Sequence, residues 1–127
     1  MKVLINVKVD KDLKNCDRRL YKGIKKEFPR VLRFLSVKAS LPGEGPLHHL
    51  PREVNSLIFL HARICLPSSG HGKSKGPRIV YFVDQKSQEI RVLYVGGHKD
   101  DQYNSYSITQ EIASRFLSGD FYEWVDD

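Results

Sequence analysis

Hydrophobic and polar residues alternate in two neighbouring stretches of the second half of the chain. Apolar runs at Ile79–Val83 and Ile90–Val95 flank the polar stretch Asp84–Glu89, and this pattern predicts a β-hairpin. A hairpin brings the start of its first strand close to the end of its second. We therefore expect Arg78 to lie near the residues that follow Val95. The run Leu57–Leu66 predicts a further strand ahead of the hairpin.

The first forty residues predict one strand and two helices. Residues Val3–Val9 alternate and predict the strand, and Asp10 follows in a position to cap the next helix through its carboxylate. Apolar residues then recur at helical spacing. Pro29 predicts a break before a second, shorter helix that contains Val31–Leu35. The polar face of the first helix carries five basic residues: Lys11, Lys14, Arg18, Lys22 and Lys25.

A third helix and an aromatic tail follow the hairpin. Ser107–Gln110 has the spacing of a capping box, which predicts a short helix that ends at Gly119. Three aromatic residues after that helix are expected to dock on the domain: Phe121, Tyr122 and Trp124. Residues 1–127 are thus predicted to form one α+β domain. Two N-terminal helices would pack on a small, largely antiparallel sheet, with a short C-terminal helix after it.

The composition fits a folded protein with an anionic partner. The chain has 127 residues, of which 40% are hydrophobic, and its net charge is +6. This length suits a single domain. A basic surface favours an anionic partner, although solubility alone accounts for the charge equally well.

Cysteine usage and hydropathy indicate the compartment. Cys16 and Cys65 predict two buried free thiols of a cytosolic protein rather than a disulfide. No apolar run approaches the length of a membrane span, and the charged, alternating start of the chain differs from a signal peptide. We therefore expect a cytoplasmic protein without a membrane partner.

The glycine-rich loop before the hairpin partly matches a phosphate-binding loop. Gly72–Ser74 supplies half of a P-loop, but Pro67 stands where the earlier glycine is required, and the loop joins two predicted strands. This context excludes nucleoside triphosphate binding. What remains is a polar loop whose cations could follow a nucleic-acid backbone, or which is simply solvated. Its candidate RNA-binding residues are His71, Lys73 and Lys75.

Polar residues at the two ends of the hairpin suit the handling of a phosphodiester. The guanidinium of Arg78 can hold two phosphate oxygens, and His98 has an ordinary pKa near neutrality. Lys99 adds a positive charge, and Tyr103 offers a hydroxyl and a ring that can stack on a base. No Cys/His spacing matches a zinc site, so we predict neither a metal nor another cofactor.

These two stretches resemble motifs of the RelE/ParE superfamily of bacterial toxins. Pro77–Tyr81 is similar to a strand of the form YRVIY, and Gly97–Tyr103 is similar to GHRKDVY, with Gly97, His98, Asp101 and Tyr103 in register. Lys99 stands where that pattern has arginine, and Asp100 stands where it has lysine. The resemblance extends from about Ala62 to Tyr103.

The resemblance implies a RelE-like fold and the toxin of a type II toxin–antitoxin system, which cleaves messenger RNA on the ribosome without a metal. The ribose 2′-hydroxyl would attack the adjacent phosphate and the 5′-oxygen would leave. Arg78 and Lys99 would stabilise the developing charge, while His98 or Tyr103 would move protons. A cognate antitoxin, typically acidic, would cover the basic face.

Two other functions remain open on the same fold. A toxin of the ParE branch acts on DNA gyrase and need not keep the cation cluster. A non-catalytic nucleic-acid-binding protein is the second alternative, because a fold alone does not determine a function.

Overall fold

Strands with alternating side-chain burial and amphipathic helices together form a layered α+β structure. The computed structural model describes residues 1–19, 21–66, 76–96 and 106–126. In these ranges the chain forms three helices, which are α1 (Val9–Arg19), α2 (Ile24–Lys38) and α3 (Tyr106–Ser118). It also forms six strands, which are β1 (Lys2–Asn6), β2 (Gly45–Pro46), β3 (Leu60–Arg63), β4 (Arg78–Asp84), β5 (Glu89–Gly96) and β6 (Phe121–Glu123). A single 3₁₀ turn spans Arg52–Val54.

The predicted hairpin is confirmed and forms the centre of the sheet. Strands β4 and β5 pair antiparallel, with Arg78 opposite Gly96 and Asp84 opposite Glu89. The register shifts after Val80, so β5 has one extra residue, Leu93, between the partners of Val80 and Tyr81. Such a bulge turns neighbouring side chains toward the same face. As a result both Leu93 and Tyr94 pack toward α3.

The strand order is β2-β3-β4-β5-β1-β6, and the sheet is mostly antiparallel. Strand β1 pairs parallel with β5, and it pairs antiparallel with β6 on its other side. The predicted docking of the aromatic tail is confirmed. Tyr122 lies opposite Ile5 in the sheet, and Trp124 packs on the core and donates its backbone N–H to the carbonyl of Val3.

The helices cover the two faces of the sheet unequally. Helices α1 and α2 pack on one face, where Leu13, Leu32 and Val92 are buried in the larger core cluster. Helix α3 packs on the other face, where Ile112 joins a cluster around Phe59. This arrangement follows from the strand period, because alternate side chains point to opposite faces and both sets are apolar in β4 and β5.

Two predicted element boundaries in the first half were wrong. Strand β1 ends at Asn6, whose side chain accepts the N–H of Lys8 and turns the chain into α1. Asp10 therefore lies in the first turn of α1 rather than at its cap. The helix break falls before Ile24, where Gly23 has a φ of 91°, and Pro29 lies inside α2. Since proline near a helix start removes only one hydrogen bond, burial of the apolar face outweighs it.

Three further details differ from the predictions. The third strand is shorter than Leu57–Leu66, and Cys65 lies beyond its end and is exposed. The prediction of free thiols is confirmed, but only Cys16 is buried. Helix α3 begins one residue before Ser107, while its predicted end is confirmed by Gly119, which has a φ of 73°. None of the described helices is long and apolar enough to cross a bilayer.

Candidate functional site

Arg78 is the one predicted site residue that falls within the described part of the chain. The other six predicted site residues lie outside it: His71, Lys73, Lys75, His98, Lys99 and Tyr103. They belong to two segments, one ahead of Gly76 and one after Gly96, that flank the hairpin in the sequence.

Arg78 is the first residue of β4 and is held in the middle of the sheet. It pairs with Arg63 of β3 on one side and with Gly96 of β5 on the other. Its side chain is only 8% exposed, and Nη1 lies 3.0 Å from Nδ1 of His61. Because a guanidinium only donates hydrogen bonds, Nδ1 of His61 must accept this one. The imidazole is therefore neutral, with its proton on Nε2.

The electrostatic surroundings of His61 favour the same neutral form. Burial lowers the pKa of His61 below its ordinary value, and electrostatic interactions with Arg78, His48 and Arg63 lower it further. A neutral histidine whose Nδ1 is occupied presents its Nε2–H as a hydrogen-bond donor. His61 can therefore donate to an anionic oxygen, but it is poorly placed to remove a proton.

We refer to His48, His61, Arg63 and Arg78 as the basic cluster. Arg63 and Arg78 stand directly opposite each other on adjacent strands, and like charges in that position destabilise a sheet. Alternation places His61 on the same face as Arg63, while the apolar neighbours Ala62 and Ile64 face the α1–α2 side. Two facing arginines beside a neutral histidine that can donate a hydrogen bond form a candidate anion site.

His61 and Arg63 were not predicted as site residues from the sequence. The signal was present, because residues 60–64 alternate between apolar and basic side chains. Recognising it required the register of β3 against β4, which sets His61 opposite Val80 and so beside Arg78.

Close backbone packing fixes the start of β4 and the end of β5, which lie at the same end of the sheet. The N–H of Ile64 donates to the carbonyl of Pro77 at 2.7 Å. A side chain at Gly76 would collide with the carbonyl oxygen of Ile64, and one at Gly96 would collide with the ring of Tyr94. The chain therefore enters β4 and leaves β5 through glycines at fixed positions next to the basic cluster.

A buried ion pair forms hydrogen bonds with the part of β5 that extends past the end of β1. The carboxylate of Asp12 in α1 accepts hydrogen bonds from Arg115 of α3 at 2.5 and 3.1 Å and from the N–H of Val95 at 3.1 Å. Arg115 also donates to the carbonyl of Leu93 at 3.0 Å. We call Asp12 and Arg115 the β5 clamp, since together they satisfy backbone groups that have no strand partner there.

Burial and pairing act against each other on the β5 clamp. Burial alone would lower the pKa of Arg115, but the hydrogen bonds and negative charges of Asp12 and then Glu111 outweigh it, so the pKa is raised. Burial also opposes ionisation of Asp12 by raising its pKa, so the charged form depends on Arg115. The clamp joins both helical layers to the strand that leads to His98.

An apolar groove lies between α2 and the end of β3. Its volume is about 290 Å³, and its apolar lining includes Val31, Phe34, Leu41 and Ile64. Arg63 belongs both to this groove and to the basic cluster. The groove can accept an apolar side chain beside a positive charge.

Comparison with known proteins identifies no relative. No protein-family model, no curated protein and no solved structure matches this chain. Its function must therefore be inferred from the chemistry of its own residues.

Proposed function

We propose that this chain is the toxin of a type II toxin–antitoxin system and that it cleaves messenger RNA on the ribosome in the cytoplasm. The basic cluster is the observation that carries the proposal. It brings Arg63, Arg78 and a neutral His61 together at the end of the sheet. The segments attached at that end contain the other residues expected to bind or cleave RNA.

The proposed reaction is an internal transesterification. The ribose 2′-oxygen forms a bond to the adjacent phosphorus as its proton passes to a base, and the bond from phosphorus to the 5′-oxygen breaks as that oxygen takes up a proton. Lys99 contacts the phosphate. Arg78, which is 8% exposed, acts from a fixed position as a positioning and electrostatic residue. A charge in a poorly solvated site acts over a longer distance than one in water.

Proton transfer is assigned to residues other than His61. Because Nδ1 of His61 accepts from Arg78, His61 serves as a donor to a phosphate oxygen. His98 is the first candidate for the base and Tyr103 is the second, since a phenol is a weak base at neutral pH. His71, Lys73 and Lys75 bind the RNA backbone, and an acidic antitoxin places an apolar side chain in the groove beside Arg63.

The burial of Arg78 also favours one alternative. A cation that is mostly enclosed and hydrogen-bonded to His61 can serve the sheet alone. A ParE-like toxin that inhibits DNA gyrase needs no catalytic cation, so it is compatible with this geometry. A non-catalytic nucleic-acid-binding protein would keep the basic cluster but would leave RNA intact.

Induction in a bacterial host tests the proposal directly. We expect growth arrest and new 5′ ends inside translated regions, as detected by primer extension, because cleavage occurs on translating ribosomes. Arg78→Ala should relieve the arrest. Arg52→Ala removes an exposed arginine of the 3₁₀ turn and should not. Circular dichroism of both variants shows whether Arg78→Ala has lost activity or only its fold.

The outcomes separate the candidate functions. Arrest without new 5′ ends, together with loss of supercoiling by gyrase, would identify the ParE-like alternative. Normal growth with a folded wild-type protein would exclude both kinds of toxin.

The assignment of the base is tested by single-turnover cleavage of a programmed ribosome. We expect His98→Gln and Tyr103→Phe to slow cleavage more than they weaken binding, because general acid–base catalysis contributes about 10²- to 10⁴-fold to a rate. Wild-type rates for both variants would mean that neither residue moves the proton. The reaction would then depend on positive charge and substrate positioning.

A further inference from the structure

The net positive charge of this protein comes from one segment of the chain. Between Val9 and Lys38 the chain has ten basic and four acidic residues, which gives this segment a net charge of +6. The rest of the chain has eleven residues of each sign and is neutral. Residues 9–38 form α1 and α2. The segment that accounts for the net charge therefore lies in the layer on one face of the sheet.

The acidic residues of this layer offset little of the charge at its surface. Asp12 is buried and pairs with Arg115 of α3, and Glu27 is mostly buried and pairs with Arg30. Asp10 accepts a hydrogen bond from Tyr122. Asp17, which is partly exposed, completes the four.

Lys38, at the end of α2, is exposed and makes no salt bridge to another described residue. Six further exposed basic side chains of the layer, all between residues 11 and 26, also make none. They are Lys11, Lys14, Arg18, Lys22, Lys25 and Lys26. We call this set the α1–α2 cationic surface. It excludes Arg30 and Arg33, which pair with Glu27 and Asp126.

Three members of the cationic surface lie on one side of α1, and another side of the same helix contacts β5 near its end. Lys11, Lys14 and Arg18 recur at helical spacing along one side of α1, over roughly 10 Å. The side of α1 that holds Asp12 and Cys16 contacts Val95 near the end of β5. Phosphates bound along α1 would therefore lie over the α1–α2 face of the sheet, close to the end at which Gly96 pairs with Arg78.

We propose that the α1–α2 cationic surface binds the phosphodiester backbone of a folded nucleic acid without reading its sequence. Clustered exposed cations without salt-bridge partners are the feature that binds a phosphate backbone, because each contact releases counterions. This binding does not depend on the cleavage proposed above, so either inference can fail alone.

A membrane surface fits these residues less well than a nucleic acid does. A helix that lies on a bilayer inserts its apolar face between lipids. The apolar face of α1 is instead buried against the sheet, where Val9, Leu13 and Cys16 belong to the core. The large exposed apolar residues of the layer, Phe34 and Val37, lie in the second half of α2, beyond the six cations.

The salt dependence of binding tests the proposal. The test variant carries Lys11→Gln, Lys14→Gln and Arg18→Gln, since glutamine preserves helix propensity. The matched control carries Lys2→Gln, Arg52→Gln and Lys86→Gln, which remove the same charge from other elements. The probes are a 24-base-pair RNA duplex and a DNA duplex of equal length, measured by fluorescence anisotropy between 50 and 300 mM salt.

We expect the test variant to lower the slope of log K against log salt by about 0.9 for each phosphate that is no longer neutralised, or nearly 3 in total. Near 0.1 M salt this corresponds to an affinity that is weaker by on the order of 100-fold or more. The control should retain the wild-type slope. Comparing the two probes shows whether RNA or DNA is the preferred source of the backbone.

Three results would overturn the proposal. The first is an unchanged slope for the test variant. The second is an equal reduction for the control, which would make bulk charge the cause. The third is that polyglutamate or phosphatidylserine vesicles bind the wild-type protein more tightly than either duplex and no longer bind the test variant. A second variant, with glutamine at Lys22, Lys25 and Lys26, gives an independent measurement if the first fails to fold.

Discussion

Removing one partner of the β5 clamp should destabilise the protein more than any change at a surface ion pair. Asp12→Ala deletes three hydrogen bonds of 2.5–3.1 Å and leaves the Arg115 side chain, which is 7% exposed, with the more exposed Glu111 as its remaining carboxylate partner among the described residues. Breaking a buried pair in this way costs about 3–5 kcal/mol. A domain of this size has roughly 5–15 kcal/mol of stability in total, so the loss is a large fraction of it.

The double variant Asp12→Ala with Arg115→Ala distinguishes the pair from its backbone partners. It removes both charges but leaves the N–H of Val95 and the carbonyl of Leu93 without their side-chain partners, at about 1–3 kcal/mol each. We therefore expect it to cost less than the two single variants together, by about 1–3 kcal/mol.

Urea unfolding followed by circular dichroism measures all three free energies. The control is Asp126→Ala, which breaks the exposed pair with Arg33 and should change stability by about 1 kcal/mol or less. If Asp12→Ala cost no more than this control, the clamp would not be holding β5, and our account of how the edge of that strand is satisfied would be wrong.

The remaining predictions concern His61 and the two thiols. The pKa of His61 is lower in the folded state than in the unfolded chain, so the folded protein binds fewer protons than the unfolded chain does as the pH falls. The stability that results is present above the unfolded value of about 6.5 and is lost as the pH falls through the folded pKa. The free energy of unfolding between pH 7.5 and 5 should fall less for His61→Gln than for wild type, and parallel curves would contradict this. A thiol reagent should label Cys65 rapidly in the native protein and Cys16 only after unfolding, and rapid labelling of both would contradict the burial of Cys16.

Local pattern was sufficient for the hairpin and for the presence of three helices, but not for the boundary between the first two helices or for the way the elements assemble. The apolar runs on either side of Asp84–Glu89 predicted β4 and β5 because strand period and turn chemistry are local properties. The parallel pairing of β1 with β5 joins residues more than eighty positions apart, and no local signal encodes it. The same holds for the placement of α3 on the face opposite α1 and α2.

For the candidate site, sequence identified Arg78 but not its surroundings. Basic residues at the ends of apolar strands are visible in any sequence. Arg78 and His61 contact each other because both are enclosed and because the register of β3 against β4 brings them together. Burial and register both depend on tertiary packing. The Pro29 error has a similar origin, because proline is judged from local propensity, while the packing of Phe28 and Leu32 decides whether α2 continues.

The position of β1 within the sheet has a consequence for synthesis on the ribosome. Both of its neighbours, β5 and β6, are translated long after it, and at about 5–20 residues per second the wait is on the order of ten seconds. During this interval Val3 and Ile5, each 2% exposed in the finished protein, have no strand beside them. The nascent chain therefore offers an unpaired apolar strand to chaperones and to other chains. Long-range closure of this kind also slows folding, so the end of the sheet that bears the basic cluster should become functional only after synthesis is nearly complete.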